Sequence, residues 1–326
     1  MTSPAITSLD AGTRLRGTVP LWIVPAVLCA GLFGYVLLFG GYLVTVLGLA
    51  AVYAVFCTGL NLFMGYTGQA SFGQSAFAAL GGYGTAVLCA GQGWEPLAGL
   101  LASMALSGAV ALVVGYPTLR LRGHYLAMAT FALGLIAYEL SIEWTGITQG
   151  YMGYAGIPPL GVAGWELDGE RGQLVALILF MLAGVWVAGR IRASRFGRAL
   201  RAIAGSEQAA VALGIPVARY KLAAFVIAAM YASVAGSLLA HFVGFISPEI
   251  FGLPMVVLGF TMLYLGGIGT IWGPVLGAVV ASLLPELFRG LKEVQDIAYS
   301  AVLILMLIFL PGGLAGLIAR WSRPAR

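Results

Sequence analysis

Ten apolar runs, each about 16–24 residues long, succeed one another along this chain of 326 residues, and a run of that length is what a helix needs to cross a hydrocarbon core roughly 30 Å thick. They fall at about 20–39, 42–62, 71–90, 97–117, 124–141, 172–189, 220–243, 252–267, 271–288 and 297–319. Backbone polar groups find no water in hydrocarbon, so such runs fold as helices that satisfy their own hydrogen bonds. A mean hydropathy of +0.97 excludes an ordinary soluble domain of this size, which has too little interior to hide that much apolar surface. The expectation is an all-α, polytopic integral membrane protein with about ten transmembrane helices. The run from Val19 to Phe39 follows Arg14 and Arg16, lacks a small-residue cleavage site and leads at once into another run. It reads as an anchor and not as a signal peptide. The organisation is then a tail over 1–18, a membrane domain over 19–319 with a polar segment at 190–219, and a second tail over 320–326.

The charges orient this arrangement. With ten crossings that start inside, 14 of the 17 basic residues fall on one side, and only Arg171, Arg289 and Lys292 fall on the other. An excess of Lys and Arg marks cytoplasmic loops, so both termini and the segments 118–123 and 190–219 are placed in the cytoplasm. The acids Glu139, Glu143, Glu166, Asp168 and Glu170 bracket the longest external loop. The pI near 9.2 therefore reflects orientation in a bilayer, with no nucleic acid as partner. The region 250–288 is open at this stage, because Gly266-Gly267-Ile268-Gly269 suits either a tight hairpin or a re-entrant break.

Small residues recur every fourth position at Ala228, Ala232, Gly236, Ala240 and Gly244, and again at Gly269, Gly273 and Gly277. Such stripes let helix backbones approach closely, either inside the chain or across a dimer seam. Gly65-x-x-Gly68 and Gly266-x-x-Gly269 hint at an internal duplication, on a match too short to carry it. Enzyme signatures are missing. His124 and His241 are the only histidines, and Cys29, Cys57 and Cys89 lie singly inside apolar runs, so neither a metal site nor a disulfide is implied. No catalytic residue and no cofactor are expected. The two lysines, Lys221 and Lys292, do not follow glycine, so a Walker A loop is ruled out and this chain does not bind ATP by that route.

Two stretches remain as candidate sites. The first runs from Asn61 to Ser75 and is the most polar of the apolar regions, with Gly65, Thr67, Gly68, Gln69, Ser71 and Gln74. Amides are costly in hydrocarbon unless they pair or line a cavity, and the glycines permit a broken helix whose second half, starting near Ser71, aims its positive dipole end at a solute. These groups either line a path or satisfy one another between helices. The second stretch begins with Arg190, Arg192, Arg195, Arg198 and Arg201, which alone serve as a topology signal and headgroup anchor. Behind them stands Ser206-Glu207-Gln208-Ala209-Ala210-Val211-Ala212-Leu213-Gly214-Ile215-Pro216. Ser206 is a good N-cap, Glu207 suits a helix N-terminus, and Gly214 ahead of Pro216 is a stop, which predicts a helix of about two turns outside the bilayer. Its small Ala209 and Ala210 suit insertion into a partner's groove.

These residues carry a resemblance. Glu207-Gln208-Ala209-Ala210 followed by Gly214 resembles the cytoplasmic loop by which ABC-importer permeases dock on their ATPase, although Gln208 replaces the first alanine of that loop. Gly59-Leu60-Asn61-Leu62-Phe63-Met64-Gly65-Tyr66-Thr67-Gly68-Gln69, Pro117-Thr118-Leu119-Arg120-Leu121-Arg122-Gly123 and Gly197-Arg198-Ala199-Leu200-Arg201-Ala202-Ile203 resemble branched-chain amino acid permeases of the LivM type. So do Leu213 to Leu222 and Gly244-Phe245-Ile246-Ser247-Pro248-Glu249. The likeness runs from about residue 45 to the C-terminus; Gln74 stands where a histidine is expected, and Glu143 to Gly150 is a loose version of a Thr-Gly-Gly region. It implies a permease subunit in a bacterial inner membrane. The implied partners are a second, homologous permease, two ATP-binding subunits and an external solute-binding protein. Coupling to the ATPase would fall to Arg201, Ser206, Glu207, Ala209, Ala210 and Gly214, and the solute would be a branched-chain or related amino acid, or else urea or a short amide. An ion-coupled secondary transporter is the alternative from another class, but it wants an acid in mid-span, and none is there.

Overall fold

Four-residue spacing of small side chains brings the centre of this molecule together. In the computed structural model, which describes Gly31, Gly34 and residues 41–321 apart from 122, 163–164, 167–168, 289–294 and 311, the longest helix is Val217–Val243 (α8). It packs most extensively against three others: Leu43–Thr67 (α1), Gln74–Ala86 (α2) and Pro96–Thr118 (α3). Ala228, Ala232, Gly236 and Ala240 are all buried along the seam. A Cβ on Gly236 would collide with Ala78 O, one on Gly81 with Ser233 O, and one on Gly59 with Tyr231 Cβ. The stripe thus packs inside the chain. In hydrocarbon such contacts hold helices by van der Waals packing and hydrogen bonds, since burial from lipid carries little hydrophobic gain. Thr85 Oγ1 donates to Ser237 Oγ at 2.7 Å, and Ser237 Oγ donates to Gly81 O at 3.0 Å. Phe225 sits edge-on to Phe63 at 5.4 Å and to Phe77 at 5.5 Å, filling the space beside the stripe.

Around this centre run His124–Glu143 (α4), Glu170–Ala193 (α5), the short helices Arg195–Gly205 (α6) and Glu207–Ala212 (α7), then Leu253–Gly266 (α9), Gly273–Leu287 (α10), Gln295–Phe309 (α11) and Gly313–Trp321 (α12). Among the described residues six helical segments are long and apolar enough to cross a membrane, with Gly273–Leu287 as a shorter apolar helix. The chain is a multi-pass, all-α membrane protein. The first apolar run and the two tails fall almost wholly outside the described residues. Two of the expected runs are shaped differently from a plain span. The run at 71–90 becomes α2 with a π-helical last turn, Val87–Gly91. The run at 297–319 is two helices, the first ending at Phe309 and the second starting at Gly313, which takes φ +65°. Over 250–288 the chain forms a tight antiparallel hairpin: a Cβ on Gly266 would meet Gly273 O, and one on Gly277 would meet Met262 O.

The two ends of the bundle differ. One end holds Arg190, Arg192, α6, α7 and the start of α8 with Arg219 and Lys221. There Arg120 lies 4.7 Å over the Tyr116 ring and Arg190 5.9 Å over Trp186, the usual arrangement of a cation at a membrane–water boundary. At the opposite end Tyr154–Ala155 (β1) pairs antiparallel with Phe245–Ile246 (β4), and His241 Nδ1 lies 2.7 Å from Pro158 O. Gly161–Val162 (β2) and Trp165–Glu166 (β3) make a second small ladder. Outward faces of α3, α4 and α5 expose Leu112, Val113, Ile136, Leu179 and Trp186, as lipid contact requires.

Candidate functional site

The interruption between α1 and α2 is built by local chemistry. Thr67 Oγ1 donates back to Phe63 O at 2.6 Å and accepts from Gln69 N–H at 3.3 Å. Gly68 takes the left-handed conformation at φ +69°, which ends α1 and turns the chain. The following helix starts at Gln74 rather than near Ser71, with Gly73 pressed so close to Thr130 O that a Cβ would stand 2.6 Å from it. Gly68 packs against Ala204 of α6 at the basic end, whereas Phe72 O and Ser75 Oγ pack at Gly134, midway along α4, so the break reaches from the basic end to mid-depth. Sequence hydropathy could not show this, because the apolar residues either side read as one continuous environment.

Asn61 ties the last turns of α1 to the 267–272 turn. Its Nδ2 donates to Thr270 O at 2.7 Å and its Oδ1 accepts from Gly269 N–H at 2.7 Å. One turn further along, a Cβ on Gly65 would be 2.8 Å from Gly269 N. The two glycine motifs that looked alike in sequence therefore meet in space. Of the polar residues, Gln69 is half-buried, whereas Ser71 and Gln74 are buried. Ser71 Oγ and both ends of the Gln74 amide have no hydrogen-bond partner in the protein.

The polar segment beyond α5 is two capped helices. Ser194 Oγ accepts from Gly197 N–H at 3.2 Å to start α6, and Ser206 Oγ accepts from Ala209 N–H at 3.2 Å to start α7. α7 ends where Gly214 takes φ +79°, with Gly214 N–H donating to Val211 O at 2.9 Å and Ile215 N–H to Ala210 O at 3.0 Å. Leu200 and Ile203 bury one face of α6 in the bundle, and Phe196 stacks on Tyr220 of α8 at 5.4 Å. Arg201 is half-buried.

Within α7 the side chains divide. Ala210 is buried in its own chain, while Ala209 is exposed beside Val211 (60% exposed) and Leu213 (79% exposed). Glu207 pairs with a buried lysine: its Oε2 is 2.9 Å from Lys221 Nζ, whose side chain is only 4% exposed. Sequence reasoning missed Lys221, Val211 and Leu213. Two large apolar side chains in a segment outside the apolar runs were a visible signal for the last two, whereas Lys221 reads in sequence as one more cation among the arginines.

A multi-pass helical bundle with a broken helix and a capped double-helix platform at its basic end defines a membrane transport subunit. The family profile described as branched-chain amino acid transport system / permease component matches residues 42–311, and the chain belongs to that family. It is 33% identical over 292 residues to the high-affinity branched-chain amino acid transport system permease protein LivM of Salmonella typhimurium, covering 81% of this chain and 67% of the relative. The LivM of Escherichia coli K12 is 32% identical, covering 82% and 68%. The LivH permease of the same strain is 29% identical, covering 82% of this chain and 92% of its own length. No solved structure matches the chain.

Proposed function

We propose that this chain is the membrane-spanning permease subunit of an ATP-driven importer for branched-chain or related amino acids in a bacterial inner membrane. α7 is the element on which an ATP-binding subunit docks, and the basic end faces the cytoplasm. The observation that carries the reading is the platform itself. α7 is capped at both ends, presents Ala209, Val211 and Leu213 to solvent, and is tied by Glu207–Lys221 to α8, the helix that packs on both halves of the broken pair α1–α2. A movement of α7 is therefore delivered to the break by two routes, through the adjoining α6, whose Ala204 meets Gly68, and through α8. Alternating access follows when two ATP-binding subunits close and the platform tilts the helices around residues 65–75. The names of the LivM and LivH relatives support a heteromeric arrangement with a second, homologous permease, and an external binding protein would deliver the solute. Affinity then resides in that protein, which suits a sparse polar path of Gly65, Thr67, Gly68, Gln69, Ser71 and Gln74. The ten-span topology with both termini inside belongs to the same proposal.

The test is a set of platform variants in the assembled transporter. Space beside Gly214 is open, so Gly214→Val fails through strain at φ +79° and not through a clash. Ala210→Trp drives an indole into the bundle beneath α7, and Glu207→Lys sets two cations together. All three insert in the membrane, lose uptake and co-purify weakly with the ATP-binding subunit, while Arg195→Lys is silent. Full uptake by Gly214→Val and Ala210→Trp rejects the docking role. For the path, Gln69→Leu and Gln74→Leu cut uptake with assembly intact; normal transport by both makes those amides structural only.

A further inference from the structure

Phe72, in the break, borders three adjoining spaces. One is a cavity of about 370 Å³ shared with Ser75, Phe131, Tyr138 and Val256. A second, of about 760 Å³, adds Met128 and Phe260. Between these and the core lies a narrow cleft walled by Ser71, Gln74 and Ser75 on one side and by Phe56, Leu60 and Phe260 on the other. The Phe72 and Phe260 rings stack across it, with centroids 4.4 Å apart and planes at 12°. Both rings are braced from behind. Phe72 N–H donates to Thr130 Oγ1 at 3.1 Å, its ring meets Phe131 edge-on at 6.4 Å, and Phe260 stacks on Tyr264 at 6.3 Å.

Behind that stack, Ser71 is 0% and Gln74 2% exposed, with three polar atoms that no protein group satisfies. A buried amide or hydroxyl without a partner costs free energy, so these groups do not act as interhelical glue. Both residues border a cleft that is closed in this conformation, too narrow for a water, with only apolar surface exposed in it. We propose that Phe72 and Phe260 gate a polar subsite formed by Ser71 Oγ and the Gln74 amide, and that this subsite takes the carboxylate of an amphipathic solute whose aliphatic part rests in the apolar cavity beside Phe131. This rests on the permease reading above. The hydroxyl and amide N–H supply hydrogen bonds that suit a carboxylate without full charge pairing, which permits release. When α6 moves against Gly68, Phe72 four residues on swings with the break, and the stack opens.

The test places a single cysteine, Ser71→Cys, in the assembled transporter with Cys29, Cys57 and Cys89 replaced by serine, and measures its rate of reaction with a small hydrophilic thiosulfonate. With Phe260 present the reaction is slow. Phe260→Ala accelerates it about tenfold, the factor expected when one stacking contact no longer closes the cleft, and Phe260→Tyr, which keeps the ring, leaves it slow. Equal rates in all three refute the gate, whether all slow or all fast. L-leucine at saturation slows labelling in the Phe260→Ala background, and Gln74→Leu abolishes that protection. Leucine that is transported but gives no protection refutes the subsite. A complex that transports no leucine at all defeats the substrate assignment, while the difference between Phe260 and Ala still decides the gate.

Discussion

Neutralising Glu207 is the sharpest perturbation of the platform. Lys221 Nζ has a carboxylate partner at 2.9 Å, and its side chain is 4% exposed, against 32% for Glu207. Glu207→Gln leaves an ammonium buried with a weaker partner. Breaking a buried pair costs about 3–5 kcal/mol, and the partial exposure of Glu207 brings the expected value down to roughly 2–3 kcal/mol. Since every 1.4 kcal/mol is a factor of ten, the undocked population of α7 rises roughly 30- to 140-fold. Lys221→Met is milder, at about 0–1 kcal/mol, because the carboxylate it leaves behind can turn to water. The double variant Glu207→Met, Lys221→Met removes both charges and returns close to the parent. Hydrogen exchange of the 206–216 backbone, read by mass spectrometry on the purified complex, checks this: exchange quickens in the order double variant, Lys221→Met, Glu207→Gln. Parent-like exchange in Glu207→Gln, or a larger effect from Lys221→Met, refutes the reasoning.

Asn61→Leu removes two hydrogen bonds to the 267–272 turn and leaves Gly269 N–H and Thr270 O without them; the expected loss is about 2–4 kcal/mol, read as a lower thermal midpoint of the detergent-solubilised complex. Gly236→Val sets a branched side chain against Ala78 O and separates α8 from α2, so membrane abundance falls in an immunoblot, whereas Gly189→Ala, where nothing lies within 4 Å, is neutral. Cysteines at Tyr151 and Arg195, both exposed and at opposite ends of the bundle, label from opposite sides of intact membranes. Labelling of both from outside overturns the proposed orientation.

Local rules carried most of what sequence could reveal. Ser206 and Gly214 mark the two ends of α7 because capping depends on residues within a turn of each other, and the structure forms both caps. The small-residue stripe on α8 was visible as spacing, but whether it faced the same chain or another needed the partners Ala78 and Gly81 of α2, which lie some 150 positions away. α7 is six residues long, too short for periodicity to define a face, so the inward turn of Ala210 and the outward turn of Leu213 were hidden. The Glu207–Lys221 pair was hidden for a related reason. Its partners belong to different helices, and only the bend at Gly214 and Pro216 brings them together. The polar break was legible from Gln69, Ser71 and Gln74; its depth, from Ala204 at Gly68 to Gly134 at Phe72 and Ser75, is set by tertiary contacts.

The central claim is that α7 is the contact with an ATP-binding subunit, and site-directed cross-linking measures that contact itself. A single cysteine at Leu213, the most exposed apolar residue of the platform at 79%, is placed in a cysteine-free chain co-expressed with its ATP-binding partner, and a short bifunctional maleimide is added to inside-out vesicles. The account predicts a cross-linked band containing both proteins, with a yield that changes when ATP is bound, and no such band from Tyr151→Cys at the opposite end. A Leu213→Cys chain that forms no adduct, while the complex remains assembled and active, contradicts it.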